Sequence, residues 1–278
     1  MRLAIVPLKN LKYRFGTGAG GPNLEDGLAW LAEHDFHQTD FNADHGANLL
    51  SLWPDERVRN VRALCERHDI HLGIHTLSAV NVSDFSPYMS EAVDAYLAAN
   101  IDLGQRLGVE RVIVHAGLHQ SSERDLRNKA SLEHLQRATR YAESKGVTLL
   151  LENLNFSPDN AELHYMGHSI EELQVYFDAI QSPNFGWAFS ANHMHLMPMD
   201  FDGFIDALGV SRVGLILTAD NRGTIEEHLV PGAGNFDFAG LYRRLEEEGY
   251  EGPFMLTFGN RAEKLAGREY LLKQAGVA

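Results

Sequence analysis

Three apolar runs of the 278-residue sequence end in side chains that bind divalent cations. Ile70–His75 and Arg111–His115 finish in imidazoles, and Val147–Glu152 finishes in a carboxylate. If these runs are neighbouring parallel strands, about 4.8 Å apart, their C-terminal side chains can converge on one ion. Two imidazoles and a carboxylate suit Zn²⁺, Mn²⁺ or Fe²⁺ and leave positions open for substrate or water. A single histidine at a strand end is more often structural; three ligand types at three successive ends favour a metal site. A second set follows in Ser190-Ala-Asn-His193-Met-His195 and in Glu226 and His228, which are two apart and share one side of an extended backbone. With His193 that pair could form another His–carboxylate site. Alone it reads equally well as a solvated loop with one hydrogen-bonding histidine. Asp220 before Asn221 has the form of a turn acid.

The elements that must position these residues are legible as a rhythm. Strand-like runs fall at Leu3–Val6, Phe36–Phe41, Ile70–His75, Arg111–His115, Val147–Glu152, Phe185–Phe189, Val213–Thr218 and Phe254–Phe258. Helical spacing fills Leu24–His34, Glu56–His68, Ser90–Leu107, Leu132–Lys145, Ser169–Ile180, Asp202–Leu208, Phe238–Glu248 and Arg261–Gln274. Ser169 and Asp202 read as N-caps, the first with Glu172 as a capping box. Strict alternation implies parallel strands joined by right-handed crossovers, and eight units can close on themselves. The expectation is α/β, a single (β/α)8 TIM barrel with residues 1–278 as one domain; a doubly wound open sheet is the competitor. In a barrel the strand C-termini form the face where chemistry occurs.

Composition narrows the function classes. An apolar content of 44% supports a large core, and one cysteine, Cys65, excludes an internal disulfide framework and a thiolate cluster. Thirty-eight acidic against 24 basic residues give a net charge of −14, which repels phosphate backbones, so no nucleic-acid partner is expected. No run approaches the roughly 20 apolar residues that span a bilayer, and the opening residues lack a signal peptide's apolar core. No membrane partner and a cytoplasmic location are therefore expected. Gly16-Thr-Gly18-Ala-Gly-Gly21 matches a dinucleotide fingerprint, with Asp40 at the ribose-acid distance. The intervening Lys12–Phe15 and the later Pro22-Asn23 make a flexible lid loop the better reading. Trp30 and Trp53 read as packing, whereas Trp187 is the one indole that could stack on a sugar. Cys65, among Leu64, Glu66 and Arg67, reads as inert. His37, His45, His119, His164 and His168 lie on or near loops and receive no role.

The alternation, His75, Val-Ile-Val-His115-Ala-Gly, Leu-Leu-Leu-Glu152-Asn153, Asp220-Asn221 and His228-Leu-Val-Pro-Gly-Ala-Gly234 resemble the xylose isomerase-like barrel superfamily over nearly the whole chain. That group contains sugar and sugar-phosphate isomerases and epimerases, inosose dehydratases and endonuclease IV-like phosphodiesterases. Its epimerases hold one ion with acids on strands five, six and eight and a histidine on strand seven. Glu152 matches the first, but Ser190, Leu217 and Thr257 stand at the other three. The resemblance therefore implies a shifted divalent-metal site built from His75, His115, Glu152, His193, Glu226 and His228, the positions used by the polynuclear members. Glu226 stands there in place of their aspartate.

On these grounds the expected function is an isomerase- or epimerase-type enzyme, or a related lyase, acting on a small sugar-like carbonyl substrate. Glu152 and His193 would be catalytic, and Trp187, His115 and Asn153 would bind substrate. The apolar walls beside Glu152 predict a raised pKa and useful basicity. The alternatives are a non-catalytic barrel that binds a ligand or partner after losing its metal, and a phosphoester hydrolase, which the acidic surface and missing ligands disfavour. By resemblance a homo-oligomer is also expected.

Overall fold

The computed structural model describes residues 10–120 and 122–277. Eight strands, β1 (Phe15–Thr17), β2 (Gln38–Phe41), β3 (His71–His75), β4 (Arg111–Val114), β5 (Thr148–Glu152), β6 (Phe185–Ser190), β7 (Val213–Thr218) and β8 (Phe254–Leu256), form a closed barrel. Each strand pairs in parallel with its sequence neighbours, and β8 returns to pair with β1. The crossovers carry α1 (Leu24–Glu33), α2 (Asp55–His68), α3 (Pro87–Leu107), α4 (Arg124–Lys145), α5 (Ile170–Ala179), α6 (Phe201–Leu208) and α7 (Phe238–Glu247), and α8 (Arg261–Gln274) follows β8. This is the (β/α)8 barrel that the alternation implies. Among the described residues no helix is long and apolar enough to cross a membrane.

The first unit differs from expectation. Leu3–Val6 lies outside the described residues, and the first barrel strand is Phe15–Thr17, read from sequence as loop. Its register sets Phe15 against Phe254 and Gly16 against Gln38. A Cβ at Gly16 would stand 2.3 Å from the Gln38 carbonyl oxygen, so this glycine is required by strand-to-strand approach. The connection to α1 is also fixed rather than a flexible lid. Ala19 is buried and donates its N–H to the Asp40 carbonyl at 3.0 Å, and a Cβ at Gly27 would meet Ala19 O at 1.6 Å. The glycine spacing that imitates a dinucleotide fingerprint is thus dictated largely by packing.

Two helix starts are corrected as well. The side chain capping α6 is Asp200, which accepts from Gly203 N–H, not Asp202. Ser169 does cap α5 by accepting from Glu172 N–H at 3.3 Å, but the Glu172 carboxylate reaches back to Gly167 N–H and His168 N–H, so the box is only half closed.

Apolar side chains fill two layers. Ile113, Leu150, Ala188, Leu215, Leu217 and Met255 plug the barrel interior, while a larger set packs strands against helices. Near the interior plug lies a buried ion pair, with Arg111 Nη2 3.0 Å from Asp40 Oδ1. The plug makes a floor, and the residues one step further along each strand form the mouth.

Candidate metal centre

His75 ends β3, His115 follows the last residue of β4, and Glu152 ends β5. Strand adjacency brings these tips together. His75 Nε2 lies 3.1 Å and His115 Nε2 3.3 Å from the same Glu152 Oε2, and the two Nε2 atoms are 3.2 Å apart. Ligand atoms about 2.0–2.2 Å from a tetrahedral ion stand roughly 3.3–3.6 Å from one another, so the triangle is close to a cation's coordination face. Hydrogen bonding alone satisfies it poorly. If each Nε2 carried a proton for the carboxylate, the two N–H groups would crowd each other. The donor set therefore fits a divalent ion with one face open to the mouth.

A second three-residue group stands beside it. A short helix, Ala191–Met194, directly after β6 folds His193 back over the mouth. His193 Nδ1 donates to the Asn153 carbonyl at 2.9 Å, and its Nε2 is 3.2 Å from Glu226 Oε1. His228 Nδ1 donates to the Thr257 carbonyl at 2.7 Å, and its Nε2 is 3.0 Å from the same Glu226 oxygen. Backbone carbonyls thus engage both Nδ1 atoms, the usual outer support of ligating histidines, so each Nε2 faces Glu226, as a donor to that carboxylate or, once deprotonated, as a ligand beside it. In both groups, all three candidate ligand atoms lie within 4.8 Å of one another. The groups are linked, because Glu152 Oε1 is 3.3 Å from His193 Nδ1.

The loop that carries Glu226 and His228 is held by Asp220. Its Oδ2 accepts from Gly232 N–H and Gly234 N–H, and its Oδ1 accepts from Asn221 N–H and Phe236 N–H. Asp220 is a turn acid, and its turn delivers the second group. Sequence reading missed Asn42, whose Nδ2 donates to the His75 carbonyl at 3.1 Å and fixes the end of β3.

The electrostatics overturn one expectation. Burial pushes the Glu152 carboxyl up, but hydrogen bonds from His115, His193 and His75 outweigh it and hold its pKa well below the ordinary value. Glu152 is thus an ionised carboxylate, suited to a ligand's role more than to a base of raised pKa. For His193 burial pulls the imidazole down, yet Glu152 and Glu226 together push it up to about 10. Glu226 is drawn down to about 2, chiefly by His193 and then His228. His115 is lowered by burial, whereas Glu152 raises His75 against the same burial effect.

Register accounts for the uncharged positions. Ser190 pairs with Leu217, and Met255 pairs with Leu217 on the other side. Ala188, Leu217 and Met255 belong to the interior plug, so the two-residue alternation also turns Ser190 and Thr257 inward. No carboxylate or imidazole therefore stands at these positions of β6, β7 and β8.

Two expected substrate contacts are corrected. Trp187 is fully buried between strands and helices, tilted against Phe189 and stacked toward Phe204, with no face toward the mouth. Asn153 is also fully buried. Its Nδ2 donates to the Ser190 carbonyl, while its Oδ1 accepts from Trp187 Nε1–H and Ser190 N–H. Asn153 positions β6 and His193. His115, with a 4% exposed side chain, is committed to the first metal-capable group.

The profile of the xylose isomerase-like TIM barrel family matches residues 28–274. An uncharacterized protein of Methanocaldococcus jannaschii is 24% identical over 259 residues, covering 90% of this chain and 84% of that protein. Among solved structures, a D-tagatose 3-epimerase-like protein superposes with a TM-score of 0.83 at 21% identity, covering 95% of this chain and 97% of its own. D-psicose 3-epimerase from Clostridium cellulolyticum H10 gives 0.78 at 17% identity, covering 95% and 98%. The 3-keto-D-glucoside 4-epimerase of E. coli gives 0.75 at 16% identity, covering 95% and 99%. At these identities the likeness is one of fold.

Proposed function

This chain belongs to the xylose isomerase-like TIM barrel family, and we propose that it is an isomerase- or epimerase-type enzyme that moves a proton beside the carbonyl of a small sugar-like substrate. The observation that carries this reading is the grip of three imidazoles, His75, His115 and His193, on the single carboxylate Glu152 at the barrel mouth. The fold shared with solved sugar epimerases supports it.

His75, His115 and Glu152 would hold a divalent cation, and His193, Glu226 and His228 offer a second position. Such a cation would polarise the substrate carbonyl and stabilise negative charge developing on its oxygen. Glu152, kept ionised, anchors the site and orients His193 through Oε1. Where no ion occupies that second position, His193 is the group placed to carry a proton, since Glu152 and Glu226 both stabilise its imidazolium form. Thr257 cannot act as a base on the opposite face, so a single-residue route favours carrying the proton between adjacent carbons, an isomerisation, over inversion at one carbon, which needs a second acid on the other face.

A panel of ketoses, aldoses and inososes incubated in heavy water tests the reading through deuterium entry next to the carbonyl. Glu152→Gln should fold and exchange at least about a hundredfold more slowly. Exchange at the parent rate would remove Glu152 from the chemistry. The second reading, a ligand-binding barrel without catalysis, is favoured by Leu217, whose apolar side chain joins the interior plug on β7 and brings no ligand to the mouth above it. No exchange with any member of the panel would favour it.

A further inference from the structure

The metal-capable triad His75, His115 and Glu152 occupies the β3–β5 side of the mouth, and the β6–β8 side carries neutral polar groups. Ser190 ends β6 and faces inward, in register with Leu217 of the interior plug. Asn192, two residues on in the short helix Ala191–Met194, lays its amide over Ser190, with Oδ1 3.3 Å from Ser190 Oγ. Thr257 faces inward beyond Leu217, two residues past Met255 of the same plug.

All three are held by their backbones. Ser190 makes two hydrogen bonds with the buried Asn153 amide, and the Asn192 carbonyl accepts from Asn221 Nδ2 at 2.6 Å. The Thr257 N–H donates to the Thr218 carbonyl at 3.0 Å, and its carbonyl accepts from His228. Their side chains are less well satisfied. Ser190 and Asn192 are each 1% exposed. Asn192 Nδ2 and Thr257 Oγ1 are buried atoms that find no hydrogen-bond partner among the described residues. A buried polar group left unpaired is costly, and two of them held rigidly at a barrel mouth are explained by a partner that arrives from outside. Thr218 Oγ1 is equally bare, but it alternates with Leu217 and faces the helices, as Ile216 does.

The hydrogen-bond roles specify the partner. Ser190 Oγ–H donates to Asn192 Oδ1, so Ser190 Oγ can only accept and Asn192 Nδ2 can only donate. Turning the amide over exchanges the two roles and still leaves one donor beside one acceptor. Thr257 Oγ1 can do either. A carboxylate only accepts and an ammonium only donates, whereas a hydroxyl does both. We propose that Ser190, Asn192 and Thr257 form a neutral subsite that binds hydroxyl groups of a polyhydroxy ligand, and that Asn192 and Thr257 determine which ligand the mouth accepts. That the ligand is a reacting sugar rests on the enzyme reading above; the hydroxyl subsite does not, and serves a ligand-binding barrel equally.

The test is a ligand-observed NMR titration with xylitol, mannitol and myo-inositol, which carry hydroxyls but no carbonyl. It compares the parent with Thr257→Val, Asn192→Ala and Thr218→Val. The parent should bind at least one polyol with a Kd of about 10 mM or tighter. Thr257→Val, which keeps the shape, and Asn192→Ala should each weaken that binding about three- to tenfold, and Thr218→Val should leave it unchanged. Because the Thr257 hydroxyl is unpaired among the described residues, Thr257→Val should also keep its urea midpoint at or above the parent's. No binding of any polyol, equal binding by Thr257→Val, or a loss matched by Thr218→Val would overturn the subsite. So would a Thr257→Val midpoint below the parent's, which marks a hydroxyl needed by the fold. Deuterium entry from heavy water decides the enzyme reading separately. Polyol binding that depends on Thr257, with no sugar exchanging, leaves the subsite and removes the enzyme. Exchange with polyol binding indifferent to Thr257 does the reverse.

Discussion

Replacing Asp40 by Asn should destabilise the barrel more than replacing both members of its ion pair. Asp40 Oδ1 receives Arg111 Nε at 3.2 Å and lies 3.0 Å from Nη2, and both side chains are about 5% exposed. Without the carboxylate charge, Arg111 keeps Gln38 Oε1 at 3.4 Å, the Met255 sulfur at 3.7 Å and the Glu110 carboxylate at 3.9 Å. The first two are weak acceptors at long range, and Glu110 is half-exposed and already engaged by His71. A buried charge stripped of its partner costs about 3–5 kcal/mol, against a total stability of roughly 5–15 kcal/mol for an ordinary domain. Asp40→Asn should therefore lower the urea midpoint sharply with the slope unchanged. Asp40→Leu with Arg111→Met, which removes both charges and keeps the volume, should recover to within about 2 kcal/mol of the parent. Equilibrium urea unfolding followed by tryptophan fluorescence measures all three proteins. A single variant as stable as the parent, or a double variant worse than the single, would refute the claim that the charge is held by its partner.

Two further outcomes follow from charge and burial. Burial raises the Glu172 carboxyl, but His168 and the Gly167 and His168 N–H groups pull it to about 2, while Glu172 raises His168. The carboxyl's contribution is present above its unfolded value near 4.5 and fades as pH falls toward 2; the imidazole's is present below 6.5 and fades as pH rises past its folded value. The pair should thus be worth most, about 2–3 kcal/mol, between pH 4.5 and 6.5, and the stability gap between parent and Glu172→Gln should shrink at pH 3. A gap independent of pH would contradict this. Burial, and then Glu66, pushes the Cys65 thiol up to about 11, so iodoacetamide at pH 8 should leave the folded protein unlabelled over minutes while labelling it in urea. Rapid labelling of the folded protein would show the thiol to be more acidic than its surroundings require.

Much of this fold was written in repeating patterns, and its failures have local causes. Seven of the eight strands sit where apolar runs predict them, because each run is long enough to rise above its flanks. The first strand escaped because it is three residues long and its middle residue is glycine, selected by the Gln38 backbone and not by side-chain burial. Asp40 looked like a ribose-binding acid because sequence spacing carries no record of Arg111, 71 residues away. At the mouth, strand-end position alone brought His75, His115 and Glu152 to one point. The second group needed more: His193 is turned inward by a four-residue helix, and Glu226 and His228 are placed by Asp220's hold on a glycine-rich loop. Trp187 was misread because the sixth strand is apolar on both faces, so alternation could not say which face it occupies. The pKa of Glu152 was misjudged in sign because apolar sequence neighbours predict burial but not the three imidazoles that offset it.

The most direct test of the mouth as a metal-supported site is elemental analysis of protein purified without added metal, repeated on His115→Ala. Two three-ligand groups whose Nε2 atoms converge on a carboxylate predict at least about one equivalent of zinc, manganese or iron in the parent, and a loss of about one equivalent in His115→Ala. Retention in His115→Ala of the full parent content, or a parent with less than about a tenth of an equivalent that takes up none on dialysis against these ions, would contradict the account.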